Sequence, residues 1–66
     1  MAKPDWNEAP QGATHWAPET DDYHESWYKK DGESWACTAV DSYRVFTAPW
    51  LYIGTKTPRI DLEQRP

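Results

Sequence analysis

The chain has 66 residues, a formal net charge of −4 and one cysteine. These exclude a multidomain protein, a scaffold held by internal disulfides and a binder that works by neutralising duplex phosphates. Leu, Ile, Val and Phe together supply seven residues, a level usual for disordered chains, but ten aromatics, five of them Trp, stand against that. Each Trp buries roughly 150–250 Å², so the expectation is a small folded domain with an aromatic core.

The first segment reads as irregular. Pro4 and Pro10 remove backbone donors, Asp5 and Glu8 have the spacing of a capping box for one helical turn, and Pro10-Gln11-Gly12 suits a turn with Pro at its second position. Trp6 is expected to pin this arm to the core. Ala13–Ala17 is a short strand candidate closed by Pro18, followed by the polar loop Glu19-Thr20-Asp21-Asp22. Asp31-Gly32 between Glu25–Lys30 and Ser34–Ala39 is a strong hairpin signal. A two-residue type I′ turn at Asp31-Gly32 predicts Lys30 opposite Glu33, Tyr28 opposite Trp35 and Ser26 opposite Cys37, with Trp27 on the other face. Val40-Asp41-Ser42 is expected to turn into a strand over Tyr43–Thr47, broken by Ala48-Pro49. Trp50–Ile53 is expected as a further strand ended by Gly54. From Thr55, with Ile60 and Leu62 at period two, the chain predicts an edge strand or a tail laid over the sheet. The fold class predicted is all-β: one domain over residues 1–66, with an irregular arm (1–12), an antiparallel meander of three to four strands (13–54) and an extended tail (55–66).

Candidate chemistry is sparse. His15, His24 and Cys37, with Asp21 and Asp22 nearby, lack the paired spacing of a structural zinc site, so no metal and no cofactor are expected. In the predicted register Cys37 faces Ser26 with His24 diagonal to it, but a small meander offers little concavity for a substrate, and a free Cys behaves as a small hydrophobe. Asp21-Asp22 reads as a solvated pair. The glycines sit at turn positions and form no phosphate loop. No enzyme is predicted. The aromatic set (Trp6, Trp16, Trp27, Tyr28, Trp35, Tyr43, Trp50, Tyr52) fits a core, a core with a protein-binding patch, or a stacking platform for single-stranded nucleic acid. For the last, Lys29, Lys30 and Arg44 are the nearby cations.

Residues 1–33 carry eight acids against three lysines, whereas residues 34–66 carry three acids against four bases. An acidic half suits a basic partner and disfavours duplex nucleic acid and membrane surfaces. No apolar run approaches the ~18 residues of a membrane span, and nothing after Met1-Ala2-Lys3-Pro4 resembles a signal peptide. The expected compartment is a reducing cytoplasm.

The stretch Asp5-Trp6-Asn7-Glu8-Ala9-Pro10-Gln11-Gly12-Ala13-Thr14-His15-Trp16 resembles the W-x-x-A-P-x-G-A-T-H segment of small uncharacterised proteins of tailed bacteriophages and prophages. In those proteins an acidic linker and a Trp-Tyr-Lys strand follow, here Ser26-Trp27-Tyr28-Lys29. The resemblance covers about the first half of the chain and implies a phage origin, with no catalytic residues to carry over. Within the motif, Trp6 and Trp16 are expected to pack on either side of the Pro10–Gly12 turn, and His15 to bond a backbone carbonyl.

These readings converge on a phage accessory protein that binds and modulates a host protein in the host cytoplasm. The expected surface is acidic and Trp-anchored, made of Asp21, Asp22, Glu25, Trp27, Asp31 and Glu33, against a partner with a basic surface. A monomer or weak homodimer is expected. The alternatives are a self-associating virion or assembly component and a single-strand nucleic-acid binder.

Overall fold

The computed structural model describes residues 4–41 and 50–66, and within them the local signals become five antiparallel strands and one 3-10 turn. The strands are β1 (His15–Ala17), β2 (Ser26–Asp31), β3 (Ser34–Ala39), β4 (Leu51–Gly54) and β5 (Glu63–Gln64), in the sheet order β4-β3-β2-β1-β5. The all-β class and the antiparallel meander are as expected, with four strands within residues 13–54 and a fifth, β5, in the tail. The strand expected over Tyr43–Thr47 lies outside the described residues.

The arm follows its local chemistry. Asp5 caps the turn Trp6–Glu8, its carboxylate accepting from the Asn7 N–H at 3.0 Å. The Ala13 N–H then donates to the Pro10 carbonyl at 3.1 Å. Pro10 is thus the first residue of this tight turn, not the second as expected. Gly12 takes the third position with φ 93°, the left-handed conformation that a type II turn requires there.

The hairpin register is also displaced from expectation. Asp31 pairs with Ser34, Lys30 with Trp35, Tyr28 with Cys37 and Ser26 with Ala39, so the loop is Gly32-Glu33. The reason is Gly32, whose φ of 63° occupies the first loop position, where a type II′ hairpin needs glycine. Each β2 residue now faces a β3 residue two positions further on than predicted. A shift of two preserves facing in a pleated strand, so Tyr28 and Trp35 still share one face and Trp27 lies on the other.

Both faces are covered. On the first, Trp16 and Trp27 pack with Ala13 and Val40 beneath Trp6, Ala9 and Trp50; the Trp6 and Trp27 ring centroids are 5.2 Å apart. Trp6 and Trp16 therefore join one cluster instead of flanking the turn. On the second face Ala17, Tyr28 and Trp35 form a cluster joined by Cys37 and Leu62. The segment 55–62 crosses this face from β4 at one edge of the sheet to β5 at the other. It is thus both a cover and the approach to an edge strand. Ile60 is fully exposed, whereas Arg59 is buried and Leu62 half-buried, so the expected Ile60/Leu62 alternation does not describe this segment.

Arg59 fastens it. Its Nε and one terminal nitrogen donate to the two Asp61 carboxylate oxygens at 2.8 and 2.6 Å, and that nitrogen also donates to the Pro18 carbonyl at 2.8 Å. Burial opposes the charge on this guanidinium, but Asp61 and Tyr28 outweigh it and hold Arg59 above its ordinary pKa. At the other end, the Arg65 N–H donates to the Thr14 carbonyl at 2.8 Å, and the Arg65 guanidinium lies 5.8 Å from the Trp6 ring centroid. The two faces are thus tied together along β1.

His15 bonds a hydroxyl in place of the expected carbonyl: its Nδ1 lies 2.8 Å from Thr14 Oγ1, which itself accepts from the Lys30 N–H at 2.9 Å. The Thr14 hydroxyl also donates to the Tyr28 carbonyl at 3.5 Å, so it links His15 to both Tyr28 and Lys30 of β2. Burial, then the Lys30 charge, lower the His15 pKa. The ring stands edge-on to Trp35 with centroids 5.0 Å apart.

Candidate functional site

The loop from Pro18 to Glu25 connects β1 to β2 and is ordered by its own polar groups. Thr20 Oγ1 accepts from the N–H groups of Asp22 and Tyr23 at 3.3 and 3.1 Å, and the Thr20 N–H donates to the Tyr23 carbonyl at 2.8 Å. This threonine-centred turn holds Glu19, Asp21 and Asp22 in solvent. The turn also presents the Tyr23 ring, which is 54% exposed yet fixed from behind by the Arg59 guanidinium 4.8 Å from its centroid.

Three hollows meet at this end of the sheet, and His24 contributes to each. An apolar groove of about 430 Å³ runs over the second face, walled by Tyr23 and Leu51 with Tyr28, Cys37 and Ala39 along it. Beside it, a hollow of about 350 Å³ is lined by Glu19 through His24, including Asp21 and Asp22. The third, of about 190 Å³, lies among Glu19, His24, Glu25, Val40 and Asp41. Burial pushes the Cys37 thiol above its ordinary pKa, which disfavours the thiolate a nucleophile needs. Tyr28 is raised as well, by burial first, while the Arg59 charge pulls the other way. Cys37 faces Tyr28, not the expected Ser26. Among the described residues no three His, Cys, Asp or Glu side chains converge to hold a metal ion.

The residues expected to form one binding surface are divided among three places. Asp21 and Asp22 are exposed on the loop just described. Asp31 and Glu33 are exposed at the Gly32 hairpin tip, at the far end of β2. Five residue steps at about 3.3 Å place Asp31 roughly 16 Å from Ser26. Glu25 is half-buried and engaged, its carboxylate accepting from the Trp16 indole N–H at 3.0 Å. Trp27, expected as the exposed anchor, is 3% exposed and lies in the first cluster. The arm supplies the physical reason: Trp6 closes over the face that a bare hairpin would leave open.

Tyr23 and Leu51, the exposed apolar groups of this region, did not stand out in the sequence. Tyr23 belongs to a polar loop without periodicity, and Leu51 sits within the apolar run Trp50–Ile53, which reads equally as core. Cations also sit against the aromatic rings: Lys29 Nζ lies 5.1 Å from the Trp50 centroid and Lys30 Nζ 5.6 Å from that of Trp35. Comparison with protein-family models, curated proteins and solved structures finds no match to this chain.

Proposed function

We propose that the chain is a phage accessory protein that binds and modulates a host protein in the host cytoplasm through its acidic surface. The observation that carries this reading is the ordered, exposed set Glu19, Asp21 and Asp22 around the immobilised Tyr23 ring. Among the described residues none of these three carboxylates is paired with a cation. Their potential therefore faces outward, where it steers a basic partner. A fixed aromatic ring adds contact area at little entropic cost. The phage setting rests on the resemblance of residues 5–16, and it favours a binder of a host component over an enzyme. Affinity capture from bacterial host lysate, with wild type and the Asp21→Asn/Asp22→Asn variant side by side, tests it. A specific host protein retained by the wild type and lost by the variant supports the reading. Equal recovery of every specific partner overturns the acidic surface as its basis.

A second reading, self-association in a virion or assembly, is favoured by one feature. Leu51, Tyr52 and Ile53 of the edge strand β4 are all exposed, and the strand carries none of the charges that usually protect an edge. Its bulge, where Ile53 is passed over in the pairing with β3, works against extended pairing. Sedimentation at micromolar concentration separates the readings, because a monodisperse monomer removes the second.

A further inference from the structure

We infer that the groove between Tyr23 and Leu51 takes an extended segment of the partner protein bearing one apolar side chain with Lys or Arg within two or three residues of it. This deepens the reading above and rests on it. The groove supplies the apolar half of the match. It has a volume of about 430 Å³ and is open to solvent along its length, the shape that admits an extended segment. Its walls are the 54% exposed Tyr23 and the 66% exposed Leu51, and the buried Tyr28 and half-buried Cys37 lie between them. Its polar lining includes Ser26, Thr38 and His24, and the Ser26 hydroxyl is already committed to the His24 carbonyl at 3.0 Å.

The charged half lies next to it. Tyr23 and His24 line both the groove and the hollow holding Glu19, Asp21 and Asp22, so an apolar group at Tyr23 brings its chain neighbours against carboxylates. Arg59, the cation stacked on Tyr23, is spent on Asp61 and on the Pro18 carbonyl, leaving the hollow's negative charge for a ligand. An anionic segment or a nucleic-acid strand meets repulsion here. The Tyr23 wall is set before binding, its ring by the stack on Arg59 and its loop by Thr20, and preorganisation of this kind lowers the cost of association.

The test uses the full chain as bait for a random twelve-residue peptide library, followed by titration of a fluorescein-labelled enriched peptide. Enriched sequences are expected to share an aliphatic or aromatic residue with Lys or Arg close by. Amide shift changes in the ¹⁵N-labelled wild type are expected at Tyr23, His24, Cys37 and Leu51. Tyr23→Ala, Leu51→Ser and Asp21→Asn/Asp22→Asn should each weaken binding tenfold or more, and raised salt should weaken it for the wild type. Leu51→Ser guards against loss of the Arg59 stack in Tyr23→Ala, and the shift map needs no variant. Failure to enrich any peptide, enrichment without cations, or shifts confined to the Gly32 hairpin tip overturns the inference. If a host protein is captured and its binding falls with Asp31→Asn/Glu33→Gln but not with the groove variants, protein binding stands while the groove assignment fails. If neither peptide nor host protein binds, the functional reading fails with it.

Discussion

Arg59 is the residue on which the second face depends. Its side chain is 2% exposed, while that of its partner Asp61 is 38% exposed, so the two ends of one ion pair stand in different media. Removing the carboxylate leaves a buried guanidinium with only neutral partners, the Pro18 and His24 carbonyls and the Tyr28 side chain, which costs more than losing a surface pair. We expect Asp61→Asn to lower stability by about 1–2 kcal/mol, read from the denaturant midpoint, and Arg59→Met/Asp61→Asn to recover part of that loss. Hydrogen bonding to Arg59 is the main cause holding the Asp61 carboxyl below its ordinary pKa. The folded value is therefore the lower one. The contribution is complete above the ordinary carboxylate range and disappears as pH falls through the folded value. The acid limb of the wild-type stability curve should flatten in Asp61→Asn. Nothing in the pattern of residues 59–62 foretells this, because a buried arginine is defined by the carbonyls that gather around it. Those come from residues distant in the chain.

At the scale of the element, the Gly32 hairpin shows what local chemistry settles and what it leaves open. Asp-Gly between two strand-forming runs identifies the hairpin, and the alternation of Trp27 and Tyr28 assigns their faces. The choice between Asp31-Gly32 and Gly32-Glu33 as the loop is not legible, since both place a glycine at a central position. Gly32 has open space around a would-be Cβ, so substitution there tests backbone conformation alone. Gly32→Ala should cost about 1–2 kcal/mol, the left-handed penalty, and Gly32→Asn distinctly less, because Asn tolerates that region. Urea midpoints at unchanged slope provide the measurement. Equal losses for the two variants would place the strain elsewhere. An edge strand in the tail is one of the two sequence expectations, but its place is not legible: a two-residue pairing of Glu63 and Gln64 with β1 has neither alternation nor apolar residues to announce it.

For the molecule as a whole, the aromatic excess is resolved by two covers, an arm over one face and a crossing segment over the other. The candidate site was legible in its charge, since the acidic loop was identified, but not in its anchor. A burial argument from hairpin parity alone omits whatever the rest of the chain lays on the sheet. The consequence is energetic. A chain of 66 residues has a total stability of about 3–10 kcal/mol at the usual yield per residue, and truncating a buried Trp costs about 3–5 kcal/mol. Trp27→Ala is therefore expected to lose much or all of its cooperative thermal transition, as calorimetry would show. An unchanged melting temperature would mean that Trp27 is free of the core. Exposed groups such as Leu51 and Asp21 are the ones through which binding can be probed with the fold intact.

The pairing of β1 with β5 joins His15 to Gln64, so an early strand of the chain keeps one side open until a late one arrives. During synthesis the β2–β3 hairpin can close on local contacts, but β1 lacks its second neighbour, and Tyr28 and Trp35 lack the Arg59–Leu62 cover. Assembly of this face then depends on contacts of high sequence separation, which form slowly. A nascent chain halted before residue 59 would expose an apolar face that the finished protein conceals, making it a substrate for chaperones and proteases.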